Sequence, residues 1–306
     1  MCGSGPKQPF VKNSNLLPHP ITILPDTPAP RIGAPFTELA SVDSTNNYAM
    51  AQAHAGTASH GAVFFAHDQW AGKGQRGKTW ASTPGENLIM SAVLEPLTLS
   101  ITDPFRLSMA VALSCHDLFS RYAGMEDCRI KWPNDLYWRD RKAGGILIEN
   151  SFRGEQWLIA IAGIGMNINQ VHFPETLRKA VSLRQITGRE FRAADLAREL
   201  AGCLQDRYEQ LCGEIAAGDQ GNPARQDGAK PPGTKAEAGI VPGPGGLLEA
   251  YNSLLYKQGA SVPLKKDGQV FEATITGVSA AGELLTQTGA GERKFSFGEV
   301  EWVIGE

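Results

Sequence analysis

The order of apolar and polar positions predicts a chain that mixes helices and strands. Short apolar runs at residues 62–66 and 87–94 are typical of buried strands. From residue 103 an Asp-Pro pair opens a longer stretch with apolar residues at helical spacing. Asp43 or Ser44 can cap a helix that precedes the first of these strands.

Between residues 129 and 162 the pattern indicates a sheet. Three short apolar runs are separated by turn residues and lie too close together for crossover helices, which favours an antiparallel or mixed sheet over a parallel one. A long helix follows, with one apolar face made by Leu196, Leu200, Leu204, Tyr208, Leu211 and Ile215. The predicted fold class is α+β, a mixed or antiparallel sheet with helices.

The composition divides the chain into four segments. Residues 1–35 are rich in proline and predict a flexible lead-in, whereas residues 36–215 predict the main domain. Residues 216–246 are dominated by glycine and proline and hold no aromatic residue, so they predict a linker or insertion. In residues 247–306 short strands alternate with turns, which is typical of a small β-barrel.

Charge and cysteine usage narrow the class of protein. A net charge of -3 and a pI near 6.1 argue against a general binder of nucleic acid or membrane surfaces. Five cysteines without a C-x-x-C pair indicate reduced thiols. Neither an export signal nor an apolar run of about 18 residues is present. We therefore expect a cytoplasmic protein with no nucleic-acid and no membrane partner.

The loop at residues 72–79 reads Gly-Lys-Gly-Gln-Arg-Gly-Lys-Thr and fits two phosphate-binding patterns at once. Its glycines let backbone N–H groups converge on an anion, and its three cations have no acid between them. Both patterns require a helix that starts inside the loop. Pro84 and Gly85 stop such a helix before its second turn. The sequence predicts an anion-binding loop that is not a phosphate loop.

Four more clusters flank this loop, and their combination resembles the catalytic domain of biotin protein ligases. Together with the stretch Gln69 to Trp80, which contains the loop, the five clusters are Asp43-Ser-Thr-Asn46, Gln69 to Trp80, Lys131-Trp-Pro-Asn-Asp135, Lys142-Ala-Gly-Gly-Ile-Leu-Ile-Glu149 and Gly163-Ile-Gly-Met-Asn167. The segment that ends the chain resembles the small SH3-like domain of that family. The resemblance implies a catalytic domain related to class II aminoacyl-tRNA synthetases, followed by an SH3-like β-barrel.

The resemblance also implies an activity, that of a biotin–[biotin carboxyl-carrier protein] ligase. The carboxylate of biotin would attack ATP, with Mg²⁺, to give biotinyl-5′-AMP and pyrophosphate. A lysine of a biotin carboxyl carrier domain would then attack the mixed anhydride. We expect a monomer or homodimer of the monofunctional type, because the residues before the main domain are too few for a DNA-binding module.

The site residues that the resemblance implies fall into four groups. Hydroxyls, amides and cations suit the polar ends of biotin, and a fixed cation suits charge that develops during attack. Ser44 as a plain helix cap and Asp135 as a turn residue remain open alternatives. The biotin-binding group is Ser44, Thr45, Asn46, Gln69, Lys73, Gly74, Gln75, Lys142 and Gly145. The group for ATP or adenylate is Lys73, Gln75, Arg76, Trp80, Lys131, Asn134 and Asn167, the catalytic pair is Lys142 and Lys73, and the magnesium candidate is Asp135.

Two loop positions depart from the family pattern, and three rival functions stay open. Lys73 and Gln75 stand where the family most often has arginines. Lys73 keeps the positive charge but lacks the planar guanidinium fork that binds an anion through two N–H groups, and Gln75 lacks both. One rival is a lipoate ligase of the same fold. The others are a phosphate-loop NTPase, which would need a helix after Thr79, and a non-catalytic module that binds the carrier.

Overall fold

A seven-stranded mixed sheet forms the main body of the computed structural model, which describes residues 30–96, 99, 103–219 and 246–303. The strand order is β1-β2-β3-β7-β6-β5-β4; β1 and β2 are parallel and all other neighbours are antiparallel. This confirms the predicted mixed sheet. The strands are β1 Phe36–Leu39, β2 Val63–Ala66, β3 Leu88–Leu94, β4 Cys128–Lys131, β5 Asp135–Trp138, β6 Arg141–Arg153 and β7 Gln156–Met166.

Helices cover both faces of this sheet. The helices are α1 Thr45–His54, α2 Pro104–Ala123, α3 Leu183–Thr187, α4 Ala193–Asp219 and α5 Leu247–Ser253. Helices α2 and α4 pack against each other over one face and build the main core. Helix α1 covers part of the other face through Ala49 and Ala53, which contact Val93 and Ile161. Every residue of β3 is buried because both of its faces are covered.

The C-terminal domain is a five-stranded antiparallel sheet of the predicted SH3-like type. Its order is β11-β10-β9-β8-β12. The turns lie where glycine can adopt positive φ, at Gly268, Gly282 and Gly291. The strands are β8 Ser261–Lys266, β9 Gln269–Val278, β10 Leu284–Thr288, β11 Gly291–Phe295 and β12 Glu301–Trp302.

The segment that leads into this domain forms backbone hydrogen bonds with strand β4 of the β4–β5 hairpin. Ile130 donates its N–H to the carbonyl of Leu254 at 2.9 Å and accepts from the N–H of Tyr256 at 2.9 Å. The indole of Trp132 donates to the carbonyl of Gly282 at 2.9 Å. The hairpin is therefore fixed between the main sheet and the C-terminal part of the chain.

The structure corrects several details of the sequence interpretation. Strand β5 was not predicted, because it shares a short turn with β4. Helix α4 continues through residues 216–219, which we had placed in the linker, because Ala216 and Ala217 favour helix. Residues 220–245 of that segment lie outside the described residues, as does the lead-in up to residue 29. Ile32 is already buried and donates its N–H to the side chain of Gln205 at 2.7 Å, so the chain packs against the main domain before residue 36.

The cap of α1 also differs from the prediction in detail. Ser44 occupies the N-cap position in extended conformation, but its hydroxyl makes no capping hydrogen bond. Asp43 instead accepts a hydrogen bond from the amide of Asn47 at 2.6 Å. The hydroxyl of Ser44 therefore makes no hydrogen bond to the helix backbone. No helix in the described part of the chain is long and apolar enough to cross a membrane.

We predict that the ion pair between α2 and α4 is a main determinant of stability. Arg207 contacts both oxygens of Asp117 at 2.7 and 3.0 Å, and both side chains are largely buried. Arg207→Met removes the main counter-ion of a buried carboxylate, which keeps only His116 at 4.0 Å, and should cost about 3 kcal/mol of unfolding free energy in urea titrations. Arg192→Met removes an exposed pair with Asp195 and should change it by no more than about 0.5 kcal/mol. Equal effects of the two variants would contradict this prediction.

Candidate active site

A cleft opens on the face of the sheet that α1 leaves uncovered. Glycines on β6 and β7 remove side chains there, since Gly145 pairs with Gly165 and Leu147 with Gly163. Eighteen residues line the cleft: Ser44, Thr45, Asn46, Gln69, Lys73, Gly74, Gln75, Trp80, Ile89, Asn134, Asp135, Lys142, Gly145, Ile146, Leu147, Gly163, Ile164 and Gly165. All nine residues of the predicted biotin-binding group are among them.

Two of the glycines make room for neighbouring side chains. A methyl group at Gly163 would collide with the amide of Asn46. At Gly165 it would lie 2.5 Å from the indole of Trp80. The bare strand therefore allows one side chain from α1 and one from the loop to lie directly on the sheet.

Neutral hydrogen-bonding groups gather at one end of the cleft. The side-chain oxygen of Gln69 accepts from the N–H of Thr45 at 2.8 Å. The hydroxyl of Ser91 lies 2.8 Å from the hydroxyl of Thr45 and 2.6 Å from the amide oxygen of Asn46. Asn46 in turn donates to Glu149 at 2.8 Å. This network fixes the orientation of side chains from α1, β3 and β6.

Charged groups gather at the other end. The ammonium group of Lys142 on β6 lies 2.6 Å from Oδ1 of Asp135 on β5 and 5.9 Å from the ring centre of Trp80. Asn134 donates to the carbonyl of Ile146 at 2.6 Å and thus closes the β5–β6 edge. The cleft combines a neutral polar end with a lysine that is held in place.

The glycine-basic loop is a tight hairpin and not a helix start. Gly74 donates to the carbonyl of Lys78 at 2.6 Å, and Trp80 donates to that of Gly72 at 2.9 Å. Arg76 adopts a left-handed φ of 56° at its tip. The expectation that no helix follows the loop is confirmed.

Cations of this loop point in different directions. Lys73 lines the cleft and lies 3.4 Å from Oε1 of Glu149. Arg76 turns away from the cleft and lies 4.0 Å from Glu301 on β12. The loop therefore touches the C-terminal domain at its tip and the main sheet at its base.

Three predicted adenylate-binding residues do not line the cleft. Arg76 is one of them. Asn167 is buried below it, where its amide donates to the carbonyl of Lys142 at 3.3 Å. Lys131 is buried behind Asp135, with its ammonium group 4.0 Å from Oδ2 of that carboxylate. The roles of these three residues stay predictions.

Asp135 has surroundings that do not suit a direct magnesium ligand. One of its oxygens faces Lys142 and the other faces Lys131. Among the described residues no group of three or more His, Cys, Asp or Glu side chains could hold a metal ion. Mg²⁺ prefers carboxylates together with substrate phosphates, and two ammonium groups oppose its approach here.

Two family models match the chain in the regions that build this site. The model described as the biotin/lipoate A/B protein ligase family matches residues 38–167, and the biotin protein ligase C-terminal domain matches residues 259–302. Together they cover more than half of the chain. The main domain thus matches the biotin/lipoate A/B protein ligase family, and the C-terminal domain matches the C-terminal domain of biotin protein ligases.

Members of this family with known names are similar over part of their length. The bifunctional ligase/repressor BirA of Escherichia coli is 33% identical over 178 residues, which are 56% of this chain and 54% of that protein. The biotin–[acetyl-CoA-carboxylase] ligase of Paracoccus denitrificans is 35% identical over 131 residues, 42% of this chain and 53% of that protein. The chain thus spans about half the length of the curated relatives that it matches.

A solved member of the family has the same fold. The biotin protein ligase from Aquifex aeolicus in complex with biotin and ATP is 21% identical, with a TM-score of 0.66 over 87% of this chain and 97% of that chain. This likeness confirms the predicted biotin-ligase fold with its SH3-like C-terminal domain.

Sequence reasoning missed two residues of the hydrogen-bond network beside the cleft, Ser91 and Glu149. Ser91 connects Thr45 and Asn46, and Glu149 connects Asn46 and Lys73. The signal for Ser91 was present, since it is the polar residue in the middle of the apolar run 88–94. Glu149 ends the cluster that begins at Lys142, and the sequence alone does not show that it contacts Asn46.

We predict that Gly163 is required for its lack of a side chain. Gly163→Ala forces Asn46 out of place and should cost about 1–3 kcal/mol of unfolding free energy, as other overpacked cores do. Gly202→Ala is the matched control, because nothing lies within 4 Å of that position on α4. It should stabilise the helix by about 0.5–1 kcal/mol. Both values can be read from urea titrations, and a neutral Gly163→Ala would be the contrary result.

Burial of Lys131 predicts a pH dependence of stability. Burial lowers the pKa of its ammonium group to about 8, against an ordinary value of 10.5. Between these values the unfolded chain binds more protons, so stability rises with pH. From pH 7.5 to 9.5 the unfolding free energy should rise by about 1–2 kcal/mol relative to Lys131→Met. Parallel curves for the two proteins would show that the shift is absent.

Proposed function

We propose that this chain is an ATP-dependent biotin protein ligase. It would activate biotin as biotinyl-5′-AMP and transfer the biotinyl group to a lysine of a biotin carboxyl carrier domain. The observation that carries the proposal is the cleft itself, in which a neutral polar end and a lysine end share one bare sheet floor. Both substrates of the first step carry groups that match these two ends.

The neutral end suits the fused ring of biotin. A ureido group presents two N–H donors and one carbonyl acceptor, and the end of the cleft offers the hydroxyls of Ser44 and Thr45 together with the amides of Gln69 and Asn46. Glu149, which accepts from Asn46, fixes which way that amide faces. The glycines of β7 let Asn46 and Trp80 lie directly on the sheet, so that these two side chains border the space for the fused ring.

The charged end suits the carboxylate of biotin and the α-phosphate of ATP. Two anions must approach each other before the carboxylate can attack phosphorus, and positive charge lowers the repulsion between them. Lys142 supplies that charge from a strand, and Lys73, which lies 3.4 Å from Glu149 in this structure, would add a second cation from the loop. The transition state brings the charges of both anions together at this point, so fixed cations stabilise it more than the separate reactants and accelerate the step.

The loop would act as a flap over the reacting groups. It lies above the cleft with Lys73, Gly74 and Gln75 on its inner side. A mixed anhydride is destroyed by water, so a cover over the adenylate protects it until the acceptor lysine arrives. We expect Mg²⁺ to enter bound to the phosphates of ATP.

The relatives support the choice of acceptor. The Paracoccus protein is named for biotinylation of acetyl-CoA carboxylase, and the Aquifex protein is described with biotin and ATP. A carrier domain of a biotin-dependent carboxylase is therefore the acceptor that we propose.

The first experiment is a test for the intermediate. The protein is mixed with biotin, ATP and Mg²⁺, and biotinyl-adenylate and pyrophosphate are measured by mass spectrometry and a coupled assay. Lipoate in place of biotin should give neither product at comparable concentration. Folded protein that forms no biotinyl-adenylate would reject the proposal, and ADP release without biotin would point to an NTPase.

We predict that Lys142 is the most sensitive side chain for adenylate formation. Lys142→Met keeps the length of the side chain and removes its charge, so kcat for biotin-dependent pyrophosphate release should fall by about 100-fold or more. Lys294→Met is the control, because Lys294 is exposed on β11 and is not among the residues that line the cleft. It should keep its activity within about twofold. A Lys142→Met enzyme with normal kcat would contradict the assignment.

We also predict that Gln75 limits the lifetime of the bound adenylate. Gln75→Arg adds a cation with a planar fork where the loop faces the cleft, so biotinyl-adenylate should dissociate about tenfold more slowly. The measurement is the decay of preformed enzyme-bound adenylate after dilution. Gln75→Met adds no charge and should leave the dissociation rate near that of the wild type. An unchanged rate in Gln75→Arg would contradict the prediction.

A further inference from the structure

Lys131 is a buried cation that the cleft does not use directly. Only 9% of its surface is exposed, and it lies outside the lining of the cleft. Its ammonium group is 5.5 Å from the ring centre of Tyr137 and 5.2 Å from that of Trp302. A charge in such a place needs a partner close by, because burial removes its hydration.

The partner of Lys131 is Asp135, which it shares with Lys142. The two lysines approach different oxygens of this carboxylate, Lys142 at 2.6 Å and Lys131 at 4.0 Å. Asp135 is itself largely buried, with 18% of its side chain exposed. One carboxylate therefore stands between two ammonium groups, one on the cleft and one behind it.

The inference rests on the proposed function, in which Lys142 must contact the reacting anions. The shared carboxylate makes this possible. Lys142 is paired with Asp135 here, but it must turn its charge toward the carboxylate and phosphate of the reacting groups. If it did so without Lys131, a buried carboxylate would lose its counter-ion, and such a loss is strongly unfavourable. With Lys131 in place, Asp135 keeps an opposite charge while Lys142 moves.

We propose that Lys131 is a positioning residue that acts as the standing counter-ion of Asp135 and so releases Lys142 to the reacting anions. Lys131 does not touch ATP in this scheme. It acts through Asp135 alone, and its effect therefore depends on the charge of that residue.

The C-terminal domain provides one of the two aromatic rings beside the ammonium group of Lys131. Trp302 lies on β12 and is also 5.9 Å from the ring of Tyr256. Lys131 thus lies between a ring of the main sheet and a ring of the C-terminal sheet, and cation–π attraction to these rings stabilises its ammonium group there. The C-terminal domain contributes to catalysis through this contact, at a distance from the reacting atoms.

A charge-suppression experiment tests the proposal. The full-length variants Lys131→Met, Asp135→Asn and the double variant are compared in biotin-dependent pyrophosphate release, with kcat and KM measured separately. Lys131→Met should lower kcat by about 10- to 100-fold, because Asp135 then retains Lys142. It should leave the KM values for biotin and ATP within about threefold.

The double variant gives the decisive comparison. Asp135→Asn removes the charge that retains Lys142, so the double variant should be at least about tenfold faster than Lys131→Met and similar to Asp135→Asn alone. If Lys131 had a purely structural role, the fold decreases of kcat in the two single variants would multiply in the double variant. A double variant no faster than Lys131→Met, or a rise in the KM for ATP at unchanged kcat, would overturn the proposal.

Variants at Trp302 keep the test informative if Lys131→Met does not fold. Trp302→Leu removes the ring and leaves the lysine, so kcat should fall less than in Lys131→Met, and Asp135→Asn should again suppress the loss. Trp302→Phe retains a ring and should stay within about twofold of the wild type. Circular dichroism and thermal unfolding confirm that each variant is folded. A wild-type enzyme that releases no pyrophosphate with biotin would instead reject the proposed function.

Discussion

The site depends on a patch of sheet without side chains. Gly145, Gly163 and Gly165 lie on one face of two adjacent strands, where ordinary strand residues would fill the space above the backbone. The amide of Asn46 and the indole of Trp80 occupy part of that space. The remainder forms the floor of the cleft. Because the strands around it are fully paired, this floor stays in place without a core of its own above it.

The same sheet also separates stability from chemistry. Its other face carries the main core with α2 and α4, while the face with the cleft carries the smaller cluster under α1. The β4–β5 hairpin is the exception, since it is held by the C-terminal segment and also delivers Asn134 and Asp135 to the cleft. A change in the C-terminal domain can therefore reach the site through this hairpin and through the loop tip at Arg76, and the core of that domain is continuous with the main core.

Much of this was predictable from sequence, for identifiable reasons. The strands and long helices follow from apolar spacing, and the family resemblance brought together residues from five motifs that line one cleft. Lys131 and Arg76 could not be placed in this way, because a motif shows which residues are close in sequence but not to which side they turn. Lys131 faces the C-terminal sheet and Arg76 faces Glu301, and both partners are far away in the chain. The continuation of α4 past residue 215 was missed because glycine and proline dominate the average composition there while the first residues still favour helix.

The anchoring of the loop limits how far such motifs can be transplanted. Both ends of the hairpin are part of the site, since Gln69 accepts from Thr45 before the loop and Trp80 lies on Gly165 after it. A segment of the same eight residues, grafted onto another protein, would carry its glycines and cations but neither of these attachments. The anion binding that we propose would depend on the sheet beneath the loop as much as on the loop itself. A short pattern that matches two motif definitions can therefore be correct about the ligand chemistry and still be meaningless outside its own scaffold.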